Sequence, residues 1–250
     1  MRTRLFAVTA AVLALGALSG CGPESAATLT QVHDFTVYGG KAPASAKPSS
    51  GPVASDIWAR TLTTFAGCKS VRIDGSVPSG TRTGTVNIAG TCDGSNARAQ
   101  TTTESESFEV ISVAGTYYVK ANAAFWRATG ATNAEINAIG SRYMATTDVQ
   151  MGRFTVARMV EDLKAAGLDT AGTDVTVETT TEAGQAAYKL VSGARTSASS
   201  VTLWTTVKDA IPLRVRVERP SGAIDVTFSD WNAVAPFTAL VGGLVWRTNA

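Results

Sequence analysis

Residues 70–91 read "SVRIDGSVPSGTRTGTVNIAGT", and their alternation decides the fold class. Val71, Ile73, Gly75 and Val77 alternate with Arg72, Asp74 and Ser76. Val86, Ile88 and Gly90 alternate with Asn87 and Ala89. A period of two is that of a half-buried strand, and the turn formers of "PSGTRT" (78–83) between the two runs make them a hairpin. A hairpin centred on Gly80 sets Cys68 opposite Cys92 at its open end. The spacing supports a disulfide there, the alternative being two buried free thiols.

Working outward, "SDIWARTLTTFAGC" (55–68) precedes the hairpin and reads as a helix. Ser55 is a suitable N-cap, Asp56 lies in the first turn, and Gly67 follows the end. Ile57, Thr61, Leu62 and Phe65 share one face, with Trp58 beside them. After the hairpin come strands at 97–103, 107–113 and 115–121, the last two joined by Ala114-Gly115. "NAAFWRATGA" (122–131) interrupts the strand pattern, and "TNAEINAIGSRYM" (132–144) suggests a short helix. "FTVARMVEDLKAAGL" (154–168) has the clearest helical period, in Val156, Met159, Val160 and Leu163, closed by Gly167. Five more strands follow at 173–180, 185–192, 200–207, 213–219 and 223–229. In these, Val201, Leu203 and Thr205 alternate with Thr202, Trp204 and Thr206, and Leu213, Val215 and Val217 alternate with arginines. Runs of meander strands with a few segregated helices define an α+β class: one large, curved antiparallel sheet with helices packed on its concave face.

Few features offer chemistry. The only histidine is His33, outside the strand-rich region, so Ser-His-Asp and Cys-His arrangements lack their base. One histidine and two cysteines that match each other do not make a zinc site, and no cofactor is called for. Glu104, Glu106 and Glu109 read as solvated surface, Glu161 and Asp162 as the polar face of the long helix. No Gly-rich stretch has the strand-to-helix context of a phosphate loop. The expectation is a protein that is not an enzyme.

The N-terminal region is of another kind. Arg2 and Arg4 precede an uncharged run from Leu5 to Ala17, the layout of a secretory signal over residues 1–20. That run is too short for a membrane span of roughly 20 residues. Leu18-Ser19-Gly20-Cys21 resembles the bacterial lipobox. The resemblance implies export, diacylation of Cys21, and anchoring to the outer face of the cytoplasmic membrane by that residue. Two or more acyl chains make a stable anchor. Residues 21–52, with Pro23, Pro43, Pro48 and Pro52, read as the acylated residue and a tether. As a coil, the tether spans about 30 Å. Within it, "TLTQVHDFTVYGG" (28–40) is apolar enough for an added strand, and both readings stand. Without residues 1–20 the charge count falls from 22 basic and 20 acidic to 20 of each. A neutral chain lacks the basic excess of a nucleic-acid binder, so no nucleic acid is expected as a partner.

Five phrases carry a wider resemblance: "KSVRIDGSV" (69–77), "GTYYVKANAAFWRATGA" (115–131), "SRYM" (141–144), "IPLRVRVE" (211–218) and "DVTFSDWNAVAP" (225–236). They resemble the LppX/LprA-LprF-LprG family of actinobacterial envelope lipoproteins, which shares the fold of LolA/LolB-like carriers. The resemblance covers roughly residues 55–236. It implies a domain over 53–236 built as a half-open barrel, with an apolar cavity for the acyl chains of a lipid or lipoglycan. Lining residues on this reading are Val71, Ile73, Val86, Ile88, Tyr117, Val119, Phe125, Trp126, Met159, Leu163, Leu203 and Val215. Tyr118 and Trp204 add further large side chains. The expected function is to carry or present that lipid, with an envelope transporter or acceptor protein as partner. The alternative is a structural lipoprotein with a filled core that binds an envelope protein. "FTALVGGLVWRTNA" (237–250) extends past the resemblance, and three placements are open to it: on the barrel, in its mouth, or on the bilayer.

Overall fold

The computed structural model of the chain describes residues 53–79, 82–147, 175–192 and 200–246. The signal and tether, the segment 28–40, the turn at 80–81 and the expected helix 154–168 lie outside the described residues.

The first helix, α1, spans Ala54–Ala66. It begins one residue before Ser55: Val53 is the N-cap, with no side-chain cap bond, and its carbonyl accepts from the amides of Asp56 and Ile57. Of the expected face, Ile57, Thr61 and Phe65 are buried, together with Trp58 beside it, while Leu62 is only partly buried. Five strands follow: β1 (Ser70–Ser79), β2 (Arg82–Thr91), β3 (Asn96–Thr102), β4 (Ser107–Val113) and β5 (Thr116–Ala121). The β4–β5 turn uses Ala114 and Gly115, both at positive φ, as a two-residue hairpin requires.

"NAAFWRATGA" interrupts the strands because it is a helix, α2 (Ala123–Ala128). Asn122 caps it, its Oδ1 accepting from the Phe125 amide at 3.0 Å. The short helix α3 (Asn133–Ile139) follows, held by a capping box between Thr132 and Glu135. "SRYM" enters a strand, β6 (Tyr143–Thr146), rather than continuing α3. Then come β7 (Val175–Glu182), β8 (Gln185–Ser192), β9 (Ser200–Thr206), β10 (Pro212–Glu218), β11 (Ile224–Ser229) and, after a 3-10 turn at Gly242–Leu244, β12 (Val245–Trp246).

The twelve strands form one open sheet in the order β12-β6-β5-β4-β3-β2-β1-β11-β10-β9-β8-β7. All neighbours are antiparallel except β12 and β6. The first six strands run outward from β1 in one direction. The pairing of β1 with β11 joins them to the last group.

The β1–β2 register corrects the hairpin centre. Val71 faces Gly90 and Ile73 faces Ile88, so the centre lies between residues 80 and 81, and Lys69 rather than Cys68 stands opposite Cys92. The physical reason is face matching. Facing residues point to the same side of a sheet, and a one-residue slip would set Ile73 against polar Asn87. The disulfide nonetheless forms between Cys68 and Cys92, whose Cα atoms are 5.9 Å apart, because both sit just beyond the paired strand ends. It closes a loop with a sequence separation of 24. Replacing both cysteines by alanine is expected to cost about 3 kcal/mol. A thermal melt then reads a midpoint roughly 6–12 °C lower; an unchanged midpoint would show that the bond does not constrain the fold.

Candidate functional site

The ladder registers assign every strand residue to one of two sheet faces. Val71 and Ile73 on β1, Val86 and Ile88 on β2, Val119 and Tyr117 on β5, Leu203 on β9 and Val215 on β10 all fall on the same face. Eight of the sequence-predicted lining residues are thus brought to one side. Phe125 and Trp126 pack over that side from α2. Met159 and Leu163 lie outside the described residues. Tyr118 and Trp204 point to the opposite face, as their strand positions require: Tyr118 packs with Ile111 and Val245, and Trp204 lies under the Arg214 guanidinium at 4.9 Å.

The inner face carries two separate clusters. The larger lies under α1, where Ile57, Trp58 and Phe65 pack with Val71, Ile73, Val86, Leu203, Val215 and their neighbours. Phe65, Phe228 and Trp231 meet with ring centroids 5.8 Å apart, and the Trp231 indole donates to the Pro212 carbonyl at 3.1 Å. The smaller cluster lies under α2 and α3, where Phe125, Trp126 and Ile139 pack with Val110 and Val119. Phe108 joins it, its ring 4.9 Å from that of Phe125.

Between the clusters runs β3, which presents Ala97, Ala99 and Thr101 to this face, opposite Gly90, Ile88 and Val86 of β2. All three β3 residues are buried. The result is a strip of small side chains flanked by two walls of large ones. Sequence reasoning missed this strip, since "NARAQTT" is weakly apolar. The signal that could have found it is the alternation of Ala97, Ala99 and Thr101 with Arg98 and Gln100.

Outside the patch covered by the tail, the outer face carries paired charges. Glu109, expected at the solvated surface, is instead a hub with a side chain only 13% exposed. It pairs with Arg98 at 2.9 Å, accepts from Gln100 at 3.1 Å, and accepts from the Tyr143 hydroxyl at 2.9 Å. Burial, with the hydrogen bond to Glu109 and its charge, pushes the Tyr143 phenol up to about 12. On β10, Arg214 grips Asp225 with two bonds of 2.7 and 2.6 Å, which hold the Asp225 carboxyl below its ordinary range.

The described part of the tail, residues 237–246, lies on the sheet, the first of the three placements. Phe237 and Leu240 pack on Ile111, Val113, Tyr118 and Tyr143 of the outer face. Asn96 brackets Phe237 through its backbone, donating to the carbonyl at 2.8 Å and accepting from the amide at 2.7 Å. β12 then extends the sheet edge beside β6, with Val245 on the outer face and Trp246 packed with the inner cluster under α2. Among the described residues no group of three or more metal-ligating side chains converges, and no helix is long and apolar enough to cross a membrane.

An open, mostly antiparallel twelve-stranded sheet with its helices on one face is an α+β half-open barrel. Solved structures similar to this chain include LprF, the mycobacterial lipoprotein LppX and a LolA superfamily protein. LprF from Mycobacterium bovis has a TM-score of 0.50 at 15% identity, over 76% of this chain and 97% of that one. LppX from Mycobacterium tuberculosis has a TM-score of 0.44 at 16% identity, over 72% and 97%. A LolA superfamily protein from Nitrosomonas europaea has a TM-score of 0.25 at 9% identity, over 76% and 96%. The likeness to LprF is one of fold. No protein-family profile and no curated protein matches the chain.

Proposed function

We propose that this chain is a non-catalytic lipoprotein, anchored through acylated Cys21, that takes acyl chains of a lipid or lipoglycan on the inner face of its sheet. The observation that carries this reading is the strip of Ala97, Ala99 and Thr101 between two helix-covered clusters. A strip of small side chains between aromatic and branched ones suits an unbranched hydrocarbon chain. The fold shared with LprF supports the same reading.

The physical need for such a site is large. Each buried methylene is worth about 0.8 kcal/mol, so a long acyl chain faces a barrier on the order of 10 kcal/mol to leave a bilayer through water. An apolar interior held near the membrane lowers that barrier. The protein would then carry or present its lipid in the cell envelope, handing it to an envelope transporter or acceptor protein.

One experiment tests anchor and cargo together. The intact chain is expected in the membrane fraction and a Cys21→Ser chain in the soluble one. Mass spectrometry of the folded Cys21→Ser protein is expected to find co-purifying diacyl lipids. Retention of Cys21→Ser in membranes would remove the anchor; recovery of empty protein that also fails to take added diacyl lipid would remove the cargo.

A second reading, a filled core whose surface binds an envelope protein, has one observation in its favour. The cluster under α1 is closely packed, with Leu190, Val201 and Leu203 wholly buried. The two readings diverge at Ala99.

A further inference from the structure

Buried polar atoms are almost always hydrogen-bonded. Two side chains, one in the small-residue strip and one in the cluster under α2, are not. The Thr101 hydroxyl and the Trp126 indole N–H are buried and without a hydrogen-bond partner among the described residues. Thr101 is 2% exposed and Trp126 4%. They are linked by contact: Thr101 faces Phe108 across the β3–β4 ladder, Phe108 packs on Phe125 at 4.9 Å, and Phe125 meets Trp126 edge-on at 5.4 Å.

Chemistry restricts what could satisfy them. An indole N–H only donates, and a hydroxyl donates one hydrogen. Hydrocarbon offers no acceptor. The ester carbonyls of an acylated lipid do, and they lie where the acyl chains begin.

We infer that Thr101 and Trp126 mark the polar end of the lipid site, where they donate to ester carbonyl oxygens, so that the site selects ester-linked lipids over ether-linked ones. This rests on the acyl-binding reading above. It adds a selectivity which that reading does not require, since an ether lipid buries the same methylenes.

Three further buried donors lack a hydrogen bond: Arg98 Nε, which lies on the opposite face of β3 and ion-pairs with Glu109 at 2.9 Å, and Trp58 Nε1 and Thr205 Oγ1, which belong to the other end of the sheet. Thr205 lies on β9, five strands from β3, or roughly 24 Å at the usual strand spacing. Trp58 belongs to the closed cluster under α1. Thr205 therefore supplies an internal control.

The test uses the full chain carrying Cys21→Ser and two probes, dipalmitoyl phosphatidylglycerol and its dihexadecyl ether analogue, compared by competition in native mass spectrometry. The probes share head group and chain length and differ only in the two carbonyls. The ester is expected to bind about tenfold tighter, the worth of one or two well-made hydrogen bonds. Thr101→Val, which keeps the side-chain shape, is expected to reduce that ratio by half or more while ether binding stays unchanged. Thr205→Val is expected to leave it alone. Equal affinities in the unsubstituted protein, or a ratio that Thr101→Val does not move, would overturn the inference and leave the acyl-binding reading standing. Failure of both probes to bind would overturn the two together.

Discussion

Gly75→Val is expected to lower the thermal midpoint of the domain by about 10 °C or more, or to leave the chain insoluble. Gly75 sits at the seam where β1 pairs with β11, facing Val226. A Cβ built there would lie 2.1 Å from the Asp225 carbonyl oxygen and 2.7 Å from the Val226 Cα. Both are backbone atoms of a ladder, so neither can rotate away. The strands must separate, and among the described residues the seam is the pairing through which β1–β6 meet β7–β11. Asp225 is further fixed by Arg214, which leaves β11 little freedom to shift. A cost of about 4 kcal/mol belongs with the large values that overpacking against backbone produces. Gly243→Ala is the control, since nothing lies within 4 Å of its added Cβ. Circular dichroism melts of the two variants decide the matter. A Gly75→Val midpoint within a couple of degrees of the unsubstituted protein would show that the seam yields.

Ala99→Trp is expected to abolish lipid binding with little loss of stability. Ala99 lies in the middle of the small-residue strip, facing Ile88 on one side and Val110 on the other. The added indole takes the room of about five methylenes, and displacing these at 0.8 kcal/mol each weakens binding by about 4 kcal/mol, roughly a thousandfold. If the strip accepts acyl chains, the new side chain lies where the ligand would, and the midpoint moves by only a few degrees. If the interior is already filled, the same substitution overpacks it. The expected cost is then above about 3 kcal/mol, with a midpoint lower by 10 °C or so. Bound lipid and melting midpoint measured on one sample separate the two readings. A destabilised protein would favour the filled core, and a stable one that still binds lipid would remove the strip from the site.

Much of the strand pattern was legible because it is local. The alternations of 70–77 and 212–219 each favour one face for burial, and the strands appear where the period of two places them. The buried face of α1 followed from a period of 3.6 in the same way. Even the corrected register of β1 and β2 was implicit in which residues were apolar, since Ile73 can share a face with Ile88 but not with Asn87. "NAAFWRATGA" was legible only as an interruption. At six residues, α2 is too short to show a period, and its Asn122 cap is its main local mark.

Other features depended on which strands became neighbours. Glu109 looked like surface because one sequence does not reveal that Arg98, Gln100 and Tyr143 lie beside it on two other strands. The tail offered three placements because its apolar residues are ordinary. Its position follows from Asn96, some 141 residues earlier in the chain, and from a bare edge at β6.

By itself the sequence determined the fold class and the buried faces of α1 and of most strands, and it favoured the pairing of Cys68 with Cys92. These rest on periodicity and on residue type, which are properties of short segments. Only the tertiary structure decided that β3 stands between two helix-covered clusters, that its alanines make a strip there, and that Thr101 and Trp126 share one neighbourhood. The reason is that a side chain's surroundings in a sheet come from strands distant in sequence, and their order is set when the whole sheet closes on its helices.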